Sequence, residues 1–133
     1  MRNLLSIAAV VFTSLLLVGA GIGIGDTTVL VSPPEAVAEQ FTRKLAAARY
    51  DVAMGHLAEH NPAQFNRVTS IGDALRARAG AIDEVEGRPG EMTRDRATAT
   101  AVLTTASAGE LSITFDLVRR TGVWRIVTWS YSW

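Results

Sequence analysis

The chain has 133 residues, enough for one domain plus a targeting or membrane segment. Lys plus Arg and Asp plus Glu balance at 13 each, and Arg2 is the only charge before Asp26, so the remainder carries 12 basic and 13 acidic side chains. A net charge of −1 there offers no basic field for a phosphate backbone and argues against a nucleic-acid partner, and the lack of cysteine excludes disulfides, thiol chemistry and a lipid-modified cysteine.

Leu4 to Ile24 is uncharged and consists mostly of Leu, Ile, Val, Ala and Gly. At the helical rise this run covers roughly 31 Å, close to a hydrocarbon core of about 30 Å. Two readings compete. Arg2 ahead of an apolar core that ends in Val18-Gly19-Ala20 has the form of a cleavable signal peptide. The apolar run continues past Ala20, however, and its length fits a membrane anchor over residues 1–25 better. A single basic residue at the start then keeps the N-terminus cytoplasmic and exports the domain, at the cell membrane of a bacterium. Gly19, Gly21, Gly23 and Gly25 hold two overlapping G-x-x-x-G spacings. They are either a smooth stripe for packing another helix in the membrane or a weakly helical exit from it.

Residues 26–31 read as a tether, and the domain proper is expected over 32–133. Ser32-Pro33-Pro34-Glu35 is a helix start, with Ser32 as N-cap, Pro33 at the first helical position and Glu35 at the third. That helix is predicted to run to about Arg49, with Val37, Phe41, Leu45 and Ala48 on one stripe and Glu39 and Arg43 paired on another side. Asp51 is expected to cap a second, short helix through Val52, Met54 and Leu57, which stops near His60 because Asn61 precedes Pro62. Asn61 then caps a segment offering Phe65, Val68, Ile71 and Leu75 to a core before Gly80, as one helix or as two.

After Gly80 the pattern turns to strand. Ala81 to Glu86 is a weak candidate that ends at Gly87-Arg-Pro-Gly90. Ala97 to Thr105 alternates small residues with threonine. Leu111, Ile113, Phe115 and Leu117 alternate strictly with polar residues, and Arg120-Thr121-Gly122 joins this run to Val123-Trp-Arg-Ile-Val-Thr-Trp-Ser-Tyr-Ser-Trp133 as a hairpin. Helices followed by strands argue an α+β domain, with helices on one face of a curved antiparallel sheet of about four strands. Its inner face is expected to be Ala97, Ala99, Ala101, Leu103, Leu111, Ile113, Phe115, Leu117, Trp124 and Ile126. Alanine on one strand leaves room for the first helix.

The capped helix Ser32-Pro-Pro-Glu-Ala-Val-Ala-Glu-Gln-Phe41, the run Ala97-Thr-Ala-Thr-Ala and the ending Phe115-Asp-Leu-Val-Arg-Arg-Thr-Gly-Val-Trp-Arg-Ile-Val127 together resemble the nuclear transport factor two-like superfamily, in particular its small exported bacterial members. The resemblance covers roughly residues 32–133. It implies a cone, in which helices pack into a strongly bent sheet that sometimes leaves a pocket. Because the superfamily includes isomerases, cyclases and dehydratases beside non-enzymatic subunits, the fold does not choose a function.

Chemistry is sparse. His56-Leu-Ala-Glu59-His60 matches H-x-x-E-H, in which two histidines one helical turn apart bind zinc. The predicted helix ends at the second histidine, so solvated histidines at a helix terminus are the reading adopted, with no metal and no cofactor. An isomerase-type site needs an acid or base inside the cone, and the predicted inner face carries none. Tyr50, Asp51 and His56, near the cone mouth, are the only candidates, and no residue is assigned as catalytic.

The last strand leaves one question open. If Trp124 and Ile126 face inward, strict alternation turns Val127, Trp129, Tyr131 and Trp133 outward, as an apolar stripe for another protein chain or the membrane. A β-bulge near Thr128 would invert this and make the aromatics core. The sequence as a whole reads as a membrane-anchored extracytoplasmic binding domain, an accessory or assembly subunit of a larger envelope complex. The alternative is a small-ligand-binding or isomerase-like enzyme that uses the cone.

Overall fold

The structure is a computed structural model, and it describes residues 32–133. Three helices precede four strands. They are α1 (Pro34–Ala46), α2 (Tyr50–Ala53), which continues into a 3-10 turn over Met54–His56, α3 (Pro62–Ala79), β1 (Ile82–Met92), β2 (Arg96–Thr105), β3 (Gly109–Arg120) and β4 (Val123–Tyr131). The strands form one antiparallel sheet in the order β1-β2-β3-β4, a meander curved around α1. The fold is α+β, and Ser32–Trp133 forms a compact unit. The expected membrane segment, its glycine stripe at Gly19, Gly21, Gly23 and Gly25, and the tether all lie outside the described residues. Among the described residues, no helix is long and apolar enough to cross a membrane.

The ten residues expected on the inner face of the sheet are all buried. Ala97, Ala99 and Ala101 on β2 are small enough for α1 to lie directly on the sheet, where Phe41 meets Phe115 edge-on with ring centroids 5.6 Å apart. Burying such a side chain contributes about 1.5–3 kcal/mol, so this inner face holds the helix layer to the sheet. Val37 and Leu45 complete the apolar stripe of α1, and Val68, Ile71 and Leu75 of α3 close the core from the other side. Ala48 and Phe65, both expected in the core, are exposed: α1 stops before Ala48, which takes a positive φ of 59° beyond the helix end, and Phe65 stands in the first turns of α3.

Several local expectations are corrected. Helix α1 begins one residue later than its sequence suggested. Pro33 is the N-cap and Pro34 the first helical residue, so Ser32 caps nothing. Asp51 does not cap α2 either, since Arg49 holds that position and Asp51 sits exposed in the first turn. By contrast Asn61 caps α3 as expected, its Oδ1 accepting from the Gln64 N–H at 2.9 Å, and α3 is one continuous helix of 18 residues. Strand β1 does not end at Gly87 but runs to Met92. Pro89 is tolerated because β1 is an edge strand, and a register shift between Pro89 and Met92 absorbs the irregular stretch.

Both sheet edges are partly covered, each by a different device. On the β1 side, the Glu39–Arg43 pair of α1 acts as a surrogate strand: Glu39 Oε1 accepts from the Gly87 N–H at 3.0 Å, and Arg43 donates to the Val85 carbonyl at 3.0 Å. The pair's own contact is 2.8 Å. On the β4 side, Leu57 makes a parallel bridge to Ile126, and the Ala58 N–H donates to the Ile126 carbonyl at 2.8 Å. Covering backbone donors and acceptors in this way removes a template for unwanted strand pairing.

The β3–β4 hairpin turns on Thr121 and Gly122, with φ of 50° and 80°. Positive φ at both central residues is what a two-residue type I′ turn needs, and glycine supplies it without strain at the second position. Beyond the turn, Leu117 pairs with Ile126 but Asp116 pairs with Thr128, which leaves Val127 as an extra residue on β4. This bulge decides the open question on the last strand. It inverts the alternation, sets Trp129 opposite Phe115 on the inner face, and buries it against Phe41 with centroids 5.5 Å apart. The expectation that Trp129 faces outward is therefore corrected.

Candidate functional site

The interior of the cone is the first place to look for chemistry, and it is filled. Phe41, Phe115 and Trp129 occupy its middle, with Leu45, Leu75, Leu103 and Ile113 around them. Among the described residues only two polar side chains are buried, Thr42 and Thr105. Both are satisfied locally: the Thr42 hydroxyl donates to the Ala38 carbonyl one turn back, and Thr105 ties the β2–β3 turn through Gly109 O and Ala108 N. Among the described residues, no acid or base is buried in this space.

The three candidates near the cone mouth are not brought together. The Tyr50 hydroxyl donates to Asp73 Oδ1 at 3.0 Å and accepts from Arg76 at 3.3 Å, on the α3 surface. Asp51 is exposed. His56 lies in the 3-10 turn and meets Lys44 Nζ at 2.7 Å through Nε2. An ammonium only donates, so Nε2 accepts and the ring is neutral. Partial burial, then Lys44, then Arg125 lower the His56 pKa to about 4. His60 lies past the 3-10 turn, where its Nε2 contacts the Leu57 carbonyl at 3.0 Å. The helix that H-x-x-E-H requires is thus interrupted between its two histidines, which are committed to different partners.

The second region is the end of β4. Val127, at the bulge, and Tyr131 are 37% and 39% exposed, comparable to Val123 on the same strand. Tyr131 has the inward parity of Trp129 and pairs with the buried Ile113, but its own ring is exposed at the end of β4. It stacks on the half-buried Trp133 at 4.4 Å between centroids. Trp133 Nε1 is buried without an acceptor among the described residues. Beside this end runs an open groove of about 570 Å³ between α3 and β4, lined by Asn66, Arg67, Ser70, Trp129, Ser130 and Tyr131 among others. Arg67 lies over the Trp129 ring at 4.4 Å and is held by Gln64 at 3.0 Å and Thr128 at 3.3 Å. Arg67 carried no signal in the sequence, because it reaches this position only through the packing of α3 on β4.

No family model matches the chain, and none of the curated proteins matches it. Among solved structures, a Campylobacter jejuni protein provisionally named an NTF2-like transpeptidase superposes with a TM-score of 0.60 at 17% identity, over 73% of this chain and 99% of that one. Identity this low speaks for the fold alone. Helices packed into a bent four-stranded meander around a core of Phe41, Phe115 and Trp129 give this chain the nuclear transport factor 2-like fold.

Proposed function

We propose that the domain acts by binding another protein chain through the end of β4, as a membrane-anchored, extracytoplasmic accessory or assembly subunit of a larger envelope complex. The observation that carries this reading is the contrast between a filled interior and an open apolar end. Polar groups suited to catalysis are absent from the packed core of the described residues, whereas Tyr131 is exposed on a groove with a cationic wall, with the half-buried Trp133 stacked on it and Val127 exposed at the bulge four residues earlier. Trp129 contributes from beneath, as a wall of the groove and not as an exposed anchor. An aromatic pair beside an arginine is the composition in which interface hot spots concentrate.

The transpeptidase name of the structural neighbour raises a second reading, an acyl-transfer enzyme. Such chemistry needs a nucleophile activated by a base within hydrogen-bond reach. The chain has no cysteine, and among the described residues no serine hydroxyl is hydrogen-bonded to a histidine or lysine. The binding reading fits these residues better.

The test is site-specific photo-crosslinking of the full chain in its native membrane fraction, with the crosslinker at residue 131 and, as a control, at residue 104 on the opposite face of β2. A discrete crosslinked product to another chain from position 131, absent from 104 and lost when Val127→Ser is added, is the expected result. Equal products from both positions, or none from 131, would refute the assignment.

A further inference from the structure

Lys44 near the end of α1, His56 in the 3-10 turn and Arg125 early in β4 are far apart in sequence but meet at one corner of the domain. We propose that these three side chains form a binding site for a single oxyanion, a phosphate or carboxylate group, distinct from the β4 end. Lys44 Nζ is 2.7 Å from His56 Nε2, and Arg125 Nη1 donates to the Gly55 carbonyl, so both cations are held at either side of the same turn. Neither has a carboxylate partner among the described residues. The ion pairs there are Glu39–Arg43, Asp73–Arg76 and Glu86–Arg88.

Two cations pinned around a neutral imidazole are an arrangement that folding alone does not favour. No carboxylate contacts either cation among the described residues, and each pushes the histidine proton away. An anion offsets this positive charge. Lys44 spends one of its three N–H donors on His56, and Arg125 spends one of five on Gly55, so donors remain on both for a bound oxygen. A guanidinium fork beside a point-charge ammonium suits a planar or tetrahedral oxyanion. With Nε2 accepting from Lys44, Nδ1 carries the ring proton; a bound anion raises the His56 pKa by lowering the local positive potential, and protonation of Nε2 releases the Lys44 bond. Gly55 leaves this side of the turn open, since a Cβ there would meet nothing within 4 Å.

The experiment is an NMR titration of the full chain in maltoside micelles, which carry no phosphate, with the His56 ring as reporter and sodium chloride at matched ionic strength as the reference. The probes are inorganic phosphate and acetate. A saturable shift of the His56 ring signals with phosphate, with or without acetate, and a rise in the His56 pKa on saturation are expected. Lys44→Gln and Arg125→Gln should each weaken the binding about tenfold or more, the loss of a charge-assisted contact. Should Arg125→Gln perturb the docking of β4 on Gly55, Lys44→Gln alone carries the comparison, since Lys44 holds no backbone group. Shifts no larger than those with chloride, or phosphate binding unchanged in Lys44→Gln, would overturn the proposal.

Discussion

At His56, partial burial and two neighbouring cations act in one direction, and the pKa falls from 6.5 to about 4. The consequence for stability follows by linkage. Between these two values the unfolded chain binds a proton at His56 that the folded chain does not, so stability rises with pH across this window. It is fully present above about 6.5 and is lost progressively as the pH falls towards 4. Urea midpoints measured from pH 7 to pH 4 should therefore decline in the wild-type chain, and His56→Gln should flatten the part of that decline lying between these pKa values. An unchanged slope in the variant would mean that other groups dominate. The sequence set His56 in a possible zinc motif with His60, and nothing local could point to Lys44 and Arg125, because both arrive through tertiary packing. Residue chemistry was legible here; the partners were not.

Among the elements, β4 shows how a single residue controls the meaning of a pattern. Alternation places Trp124 and Ile126 inward, where they are buried, but the extra residue Val127 carries Trp129 to the same face. Alternation gives each residue's parity only from a fixed starting point, and a bulge resets that point without leaving a mark in composition. The helix ends were equally hard to place. The Ser32-Pro-Pro-Glu signal is real but slips by one residue, since proline at two successive positions fits either frame. The long-period features, namely the stripe of α1, the Asn61 cap and the strict alternation of β3, were read directly. For β4 the packing sets a clear expectation. Trp129→Ala removes a ring packed on Phe41 and paired across the strands with Phe115 and should cost about 3–5 kcal/mol, a large share of a domain's total stability. Tyr131→Ala, on an exposed ring, should cost far less. Chemical denaturation of both variants decides this, and similar losses would place Tyr131 in the core as well.

For the molecule as a whole, the decisive contact is where the helix layer meets the edge of the sheet. The outline of three helices followed by a bent meander was legible in the sequence, because alternation and small residues on β2 specify a face on which a helix lies close. The point of closest approach was not, since Gly87 read as the end of a strand and is instead the middle of one. A Cβ at Gly87 would overlap the Glu35 carbonyl oxygen and stand 3.1 Å from Glu39 Cβ. The first of these is backbone in α1 and cannot rotate away, so the helix itself would have to move. Moving it would also stretch the Gly87 N–H to Glu39 bond and the Arg43 to Val85 bond that cover the β1 edge. Gly87→Ala should therefore destabilise the domain by about 1–3 kcal/mol or more, the usual range for overpacking a close contact. Gly55→Ala, which meets nothing within 4 Å, is the matched control and should be nearly neutral. Amide exchange adds a readout specific to the mechanism. In Gly87→Ala, protection should fall first along β1, as the edge loses its surrogate strand, while β3 stays protected until global unfolding. Uniform loss across the sheet would instead mean that α1 and the sheet separate as one cooperative unit and that the edge contact has no stability of its own.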